Sequence, residues 1–184
     1  MNPTDLIRKF HSTLPAVQEW IDKTLEDHRS SAISVISFSF FRLSEVFPLD
    51  LLTRAQVVVV TGKVPFPPLS HMGLTEFSQI ENMLMAGITY KDTFFVSHLH
   101  QTESLFFHEL VHVIQWERLG VNNFLFAYGA GLIQFGYRDC PLEQMAYSLQ
   151  SRFDRGVLPK NIINIIHQGT DHIWSGVSSM LPEA

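Results

Sequence analysis

The pattern of apolar and polar residues along this chain predicts helices near both ends and short strands between them. After Asn2-Pro3, a capping residue followed by a first-turn proline, apolar residues recur at helical spacing through residue 25. Four valines in a row after Gln56 indicate a buried strand. Residues 88–96 form two short β-branched and aromatic stretches around a polar turn, and they predict a β-hairpin.

Between the predicted strand and the predicted hairpin, the sequence predicts a loop followed by a helix. Three prolines at residues 65–68 force a loop. Apolar residues at helical spacing from Phe77 to Leu84 then predict a helix that ends at Gly87.

Two further helices are predicted in the second half of the chain. Thr102 is a suitable N-cap for the first, and Gly120 is placed to end it. This helix is apolar on almost every face, which is typical of a helix buried in the core. Pro141 fits the first turn of the second helix, and Gly156 follows its apolar stripe. Together the elements predict an α+β fold, mostly helical with a small mixed sheet.

Length and composition are those of a single folded domain spanning residues 1–184. Of the 184 residues, 46% are hydrophobic and 17% are charged, so the chain can bury a sizeable core. The net charge of −5, without a basic run, argues against nucleic acid as a partner.

The number of cysteines and the length of the apolar runs indicate in which cellular compartment the protein is expected. Cys140 is the only cysteine, so an internal disulfide framework is excluded and a reducing compartment is favoured. The first residues lack the pattern of a signal peptide, and the apolar run at residues 32–43 is too short to span a bilayer. The expectation is a cytoplasmic protein without a membrane span.

The predicted buried helix carries the sequence His-Glu-x-x-His. Residues four apart lie on one face of a helix, so His108 and His112 can direct their imidazoles at one metal ion. Glu109 lies beside them, where it can accept a proton from a water bound to that ion. The alternative is that both histidines are core residues with backbone partners. We expect a metal, because it would satisfy all three polar side chains in so apolar a helix.

A catalytic zinc usually has three protein ligands, so a third ligand must come from elsewhere in the chain. The extended motif with a glycine and a third histidine is excluded, because Gln115 and Arg118 occupy those positions. Glu143, in the first turn of the following helix, is the favoured candidate, and Ala146 would let the two helices approach closely. The competing explanation for Glu143 is that the helix dipole alone favours a first-turn glutamate.

Two segments carry a resemblance to a known family: His108-Glu109-Leu110-Val111-His112-Val113-Ile114-Gln115 and Glu143-Gln144-Met145-Ala146-Tyr147. They resemble the gluzincin division of the zincin metallopeptidases, and are most similar to small bacterial proteins that carry HELxHVxQ and a later glutamate-x-x-alanine-tyrosine. The similarity covers residues 86–156. It implies a zincin-like core, in which a glutamate-bearing helix packs against the active-site helix beneath a small sheet. It also implies Zn²⁺ held by His108, His112 and Glu143.

The sequence departs from the thermolysin-type pattern at Tyr147, where those gluzincins usually carry an aspartate. The partner that orients a ligating imidazole must then come from elsewhere, and the candidates are Asp139, Asp154 or a backbone carbonyl. Four side chains are candidates for stabilising the oxyanion of the reaction: Tyr137, Tyr147, His167 and His172. The two histidines fall in a predicted C-terminal helical region, where a core or surface role is the alternative for each.

Two segments near the motif have more than one interpretation. Residues 121–136 are apolar and glycine-rich for a connection. They could rim a cleft that selects apolar substrate side chains, form a surface for self-association, or pack as a buried helix. In the hairpin at residues 88–96, the outer strand could pair with an extended peptide, or the hairpin could only cover the core.

The function favoured by these residues is zinc-dependent hydrolysis of peptide bonds in a peptide or protein substrate. Zinc would lower the pKa of its bound water, the nucleophile. Glu109 would take that water's proton as general base and later deliver it to the leaving amine. Two alternatives stay open: a metal-binding or interaction module without turnover, and a zinc hydrolase that acts on a non-peptide amide or ester.

Overall fold

The computed structural model of the protein describes residues 2–181, and within that range the chain forms seven α-helices and four β-strands. They are α1 (Pro3–His28), β1 (Ile33–Ser34), α2 (Phe41–Val46), α3 (Leu49–Arg54), β2 (Gln56–Val60), α4 (Ser78–Glu81), β3 (Gly87–Tyr90), β4 (Thr93–Ser97), α5 (Glu103–Asp139), α6 (Pro141–Asp154) and α7 (Ile162–Val177). The predicted class is confirmed in outline, since the structure is mostly helical with one small mixed sheet. In the same range, no helix combines the length and apolar character that a bilayer crossing requires.

The four strands lie in the order β1-β2-β4-β3. The central pair, β2 and β4, is parallel, while β1 and β3 each run antiparallel to their neighbour. The predicted hairpin is confirmed as β3 and β4, joined by a tight turn in which Lys91 has a φ of 59°. This topology places β3 at one edge of the sheet.

The two faces of the sheet belong to two apolar clusters, because successive strand residues point to opposite sides. On one face Phe94 packs edge-on against Phe106 of α5, with 5.2 Å between ring centroids. On the other face Phe95 packs edge-on against His28 of α1, at 5.1 Å. The sheet is therefore covered by α5 on one side and by α1 on the other.

The long helix α5 consists of three helical segments. Thr102 caps its start by accepting a hydrogen bond from the Leu105 backbone N–H at 3.2 Å, as predicted. The backbone leaves the helical region at Gly120 (φ 72°, ψ 169°) and at Gly136 (φ 76°, ψ 178°). Such a positive φ favours glycine, which explains the residue type at both breaks. The predicted end at Gly120 is confirmed, although a second helical segment follows at once.

The helices α5 and α6 pack closely, as Ala146 was expected to allow. Ala146 is fully buried between them, and the rings of Phe107 and Phe153 stack at 4.5 Å. The helix α6 begins at Pro141 as predicted, and the chain reverses at Gly156, where φ is 69°.

Residues 61–86, between β2 and β3, contain less helix than their apolar spacing predicts. The prediction of a helix from Phe77 to Leu84 is wrong. The structure has only a short 3₁₀ turn and the single turn of α4 in this part of the chain. Leu84 is 90% exposed, and Gly87 opens a strand instead of ending a helix. Phe77 and Ile80 pack inward from a compact loop, whereas Leu84, the third residue of the apparent helical spacing, does not.

Candidate metal centre

Three side chains of the motif converge with Glu143 at the contact between α5 and α6. Each of these four side chains is at most 5% exposed. His108 Nε2 lies 3.1 Å from His112 Nε2 and 3.4 Å from Glu143 Oε2. His112 Nε2 lies 3.5 Å from Glu143 Oε1. The two histidines and Glu143 each offer a ligand atom within 4.8 Å of the others, so this group could hold a metal ion.

Gln115 determines which nitrogen of His112 carries its proton. The Gln115 amide N–H donates to the Leu142 backbone carbonyl at 3.2 Å, so its Oε1 is left to face the imidazole. His112 Nδ1 lies 2.7 Å from that oxygen and must therefore be the protonated nitrogen. In a neutral ring this leaves a lone pair on Nε2, the nitrogen that points at the centre.

Gln150 and a serine behind it act in the same way on His108. Ser104 Oγ donates to the Asp154 carboxylate at 3.0 Å and accepts from the Gln150 amide at 3.0 Å. The remaining amide oxygen of Gln150 lies 3.1 Å from His108 Nδ1. His108 therefore also carries its proton on Nδ1 and presents a lone pair on Nε2.

When both imidazoles are neutral, the ligand atoms at the centre carry no protons of their own. Two Nε2 lone pairs at 3.1 Å repel each other unless a proton or a cation lies between them. Glu143 Oε2 is buried and has no hydrogen-bond partner among residues 2–181, which is rare for a buried carboxylate. Its other oxygen accepts from the Tyr128 hydroxyl at 2.6 Å. A bound cation satisfies all three groups at once, so the residues fit a metal ion.

Residues of the edge strand β3, and not the three candidate metal ligands, hold the Glu109 carboxylate in place. The Thr89 hydroxyl donates to Glu109 Oε2 at 2.6 Å. The other oxygen lies against Gly87, where a β-carbon would be only 2.4 Å away. The Trp116 indole N–H donates to the Thr89 carbonyl at 3.2 Å and fixes this strand on α5. Glu109 thus faces the same cavity as the metal-binding group without belonging to it.

Burial and charge shift the protonation equilibria of the group. Burial raises the pKa of Glu109, although the two histidines and the Thr89 hydroxyl oppose the shift. Burial alone would lower the pKa of His112, but the Glu143 carboxylate outweighs it and raises that pKa to about 9. The pKa of Glu143 is correspondingly well below its usual range, because the two histidines outweigh its burial. A proton and a metal ion therefore compete for this centre.

A cavity of about 80 Å³ adjoins the centre. His108, Glu109, His112 and Glu143 line one end of it, and the remaining walls are mostly apolar. Three parts of the chain supply those walls: α1, the segment 61–86, and the second segment of α5.

Residues 121–136 combine two of the roles expected for them. Phe124 and Leu132 are buried and line the cavity, while Phe126 is buried without lining it. Phe135 is half exposed. This segment therefore packs in the core and also forms a wall beside the centre. Self-association through it stays a prediction that no contact in the structure tests.

The four oxyanion candidates divide into two pairs. Tyr137 lines the cavity, and its hydroxyl lies 3.4 Å from that of Tyr147. The Tyr147 ring lies 4.5 Å from the His108 ring and is partly exposed. His167 and His172 lie on α7, and neither is among the residues that line the cavity.

The two aspartates considered as partners of the imidazoles do not touch them. Asp139 accepts a hydrogen bond from Gln144, and Asp154 reaches His108 only through Ser104 and Gln150. Glutamine amides take the place that the sequence suggested for a carboxylate.

Five residues of the site escaped the sequence analysis. Gln115 and Gln150 follow His108 and Glu143 by seven residues each, so helical periodicity could have placed them on the ligand faces. Gly87, Thr89 and Tyr128 reach the site through tertiary packing, and no local pattern marks them.

Comparison of the chain with protein families, with curated proteins and with solved structures finds no match.

Proposed function

We propose that this protein is a zinc-dependent metallopeptidase of the gluzincin type, with a zincin-like core. The convergence of two imidazole lone pairs and an unpartnered carboxylate oxygen beside a fourth, non-ligating carboxylate carries the proposal. Two histidines and a glutamate with a neighbouring glutamate base are the set that catalytic zinc uses in peptidases.

The residues divide the chemistry between ligation and proton transfer. Zinc held by His108, His112 and Glu143 would supply a Lewis acid that activates a water and polarises the scissile carbonyl. Glu109 accepts the proton of the attacking water at Oε1, since Oε2 is engaged by Thr89. Its raised pKa favours the protonated form that then delivers the proton to the leaving amine nitrogen.

The edge strand supports an extended peptide as substrate. β3 is the edge of the sheet nearest α5, and Gly87 to Tyr90 line the cavity beside Glu109. Pairing of a peptide with this strand would bring its backbone alongside the metal centre. Tyr137 is the first proposed donor to the developing oxyanion, since it lines the cavity. Tyr147 is the second, since its ring lies 4.5 Å from the His108 ring and its hydroxyl 3.4 Å from that of Tyr137.

Elemental analysis and one base variant test this proposal. Purified protein is expected to contain one zinc per chain and to cleave members of a diverse peptide library. Glu109→Gln should keep the zinc and lose cleavage, because the amide cannot accept the proton. Glu117→Gln, an exposed glutamate on the same helix, should keep both. Protein without stoichiometric zinc, or a Glu109→Gln variant with unchanged cleavage, would overturn it.

The small volume of the cavity favours a second candidate function. All four residues are almost fully buried, and about 80 Å³ is well below the volume of a typical ligand site. A metal-binding module without turnover would need no access for substrate. Zinc-loaded protein that cleaves nothing in the peptide library would favour this module.

A further inference from the structure

We propose that residues 61–86 form a lid that opens as one unit to admit substrate, and that its apolar inner face selects an apolar substrate side chain. The lid proposal rests on the proposed function, because the lid would admit a peptide to the proposed zinc centre. It is argued from the hydrogen bonds within residues 61–86 and from their position beside that centre.

The conformation described is closed to a peptide. The cavity beside His108, Glu109, His112 and Glu143 measures about 80 Å³, whereas sites for ligands of drug size span roughly 300–1,000 Å³. Residues of the segment 61–86 line one side of this cavity, from Phe66 to Met85. Some part of the wall must therefore move before a scissile bond reaches Glu109.

The segment 61–86 is held together by its own hydrogen bonds. The Glu81 carboxylate accepts from the Ser70 backbone N–H at 3.0 Å and from the Ser70 hydroxyl at 3.1 Å. The Lys63 ammonium contacts the Glu81 backbone carbonyl. The Leu74 backbone N–H donates to the Leu69 carbonyl at 2.8 Å. A loop closed on itself in this way keeps its shape when it moves.

Few polar contacts tie the segment to the rest of the molecule. Among residues 2–181, one side-chain hydrogen bond joins it to the body, from the Tyr90 hydroxyl to the Pro65 carbonyl at 2.9 Å. The other attachments are apolar: Val64, Leu69, Leu74 and Phe77 are buried in the core, and the ring of Phe77 stacks on Phe10 of α1 at 5.6 Å. At the two ends, Gly62 has open space around it, and Ala86 is fixed to β4 through the Ser97 N–H. These features are those of a lid with hinges beside β2 and β3.

The inner and outer faces of the lid differ in polarity. Phe66, Leu69, Phe77 and Met85 line the cavity, whereas the polar residues Thr75, Glu76, Ser78 and Gln79 are exposed. A charged substrate side chain enclosed against this inner face would lose its hydration without gaining a partner. An apolar side chain would instead be buried with favourable free energy. The lid therefore discriminates between substrates by the side chain nearest the scissile bond.

Hydroxamates test the lid on the zinc-loaded full-length protein, since they ligate zinc and can carry different side chains. Leucine hydroxamate is expected to bind about tenfold or more tightly than aspartate hydroxamate. Hydrogen exchange of backbone amides in 61–86 should be faster than in β4, and leucine hydroxamate should slow it. Equal binding of the two probes, with exchange in 61–86 unchanged, would overturn the lid. With that outcome, binding of acetohydroxamate, which has no side chain, would still support the proposed metal site.

A matched pair of variants tests whether the preference for an apolar side chain depends on the inner face of the lid. Phe66→Lys should abolish the preference for leucine hydroxamate, because the ammonium can pair with the carboxylate of aspartate hydroxamate, while Leu84→Lys, with the same charge change on the outer face, should keep it. If Phe66→Lys does not fold, Phe66→Ala against Leu84→Ala makes the same comparison, with a reduced preference expected for Phe66→Ala alone. An unchanged preference in the folded Phe66 variant contradicts the proposal. Failure of acetohydroxamate to bind the zinc-loaded protein would reject the proposed function, and the lid with it.

Discussion

Gly87 of the edge strand lies directly against the carboxylate of Glu109 on α5. A β-carbon at Gly87 would be 2.4 Å from Glu109 Oε1 and 3.0 Å from its carboxyl carbon. The strand backbone and the side chain of the proposed base therefore meet with no room for a methyl group. The absence of a side chain at Gly87 determines where this carboxylate sits.

Gly87→Ala should impair cleavage without removing the metal. The added methyl displaces the Glu109 carboxylate, and a misplacement on this scale reduces kcat/KM about 100-fold. Zinc content should stay at the wild-type value, because the atoms nearest to the added β-carbon belong to Glu109 and Phe95 and not to a ligand. Steady-state kinetics and elemental analysis check both statements. Gly176→Ala on α7 is the control, since its β-carbon meets nothing within 4 Å; equal activity of the two variants would contradict the argument.

Thr89→Val should move the acid limb of the pH–rate profile. The Thr89 hydroxyl stabilises the ionised form of Glu109 and so lowers its pKa against the raising effect of burial. Without this hydrogen bond the pKa of Glu109 rises further, because burial is then opposed by the two histidines alone. Activity in the variant should then be lost at a higher pH as the solution is acidified. Thr93→Val, on the neighbouring strand and bonded to Asp92, should leave the limb where it is.

Gln115→Leu and Gln150→Leu should each weaken zinc binding. Each amide oxygen fixes one imidazole with its Nε2 lone pair toward the centre, and loss of such a partner typically reduces metal affinity about 10–100-fold. Competition with a chromophoric chelator measures the change. Gln144→Leu is an exposed control on the same helix as Gln150. Wild-type affinity in both test variants would show that the orientation of the rings does not depend on these amides.

The stability of the metal-free protein should fall in alkaline solution. The pKa of His112 is raised to about 9 in the folded protein, against about 6.5 in an unfolded chain. The folded state therefore gains stability from this proton, fully below pH 6.5, and loses it as the pH rises through 9. Urea denaturation after EDTA treatment should show a decrease of roughly 1–3 kcal/mol between pH 6.5 and pH 10. Glu143→Gln should flatten this dependence, since the carboxylate that raises the pKa is gone.

Elements with a local signature could be predicted from the sequence. Thr102, Gly120 and Pro141 mark helix boundaries through capping and backbone preferences that depend on few neighbours, and the structure has these boundaries. The spacing of His108 and His112 likewise places both rings on one side of α5. Such features follow from backbone geometry and do not require knowledge of the fold.

The remainder of the site depends on contacts between distant parts of the chain. Tyr128 reaches Glu143 only because α5 breaks at Gly120 and its second segment approaches α6. Thr89 reaches Glu109 because an edge strand crosses the helix. The error at residues 77–84 has the same origin, since Phe77 and Ile80 pack into the core from a loop at a spacing that resembles that of a helix. No short-range pattern encodes these contacts.

The metal-binding group has one further consequence for how the molecule assembles. All residues that form the centre and orient its ligands come from the consecutive stretch 87–154, whereas α1 and the segment 61–86 reach the cavity from earlier in the chain. Contacts between residues close in sequence lose less chain entropy on closure and form faster. We therefore expect the centre to assemble before its cover docks, so that a newly made chain can bind metal while the site is still open to solvent.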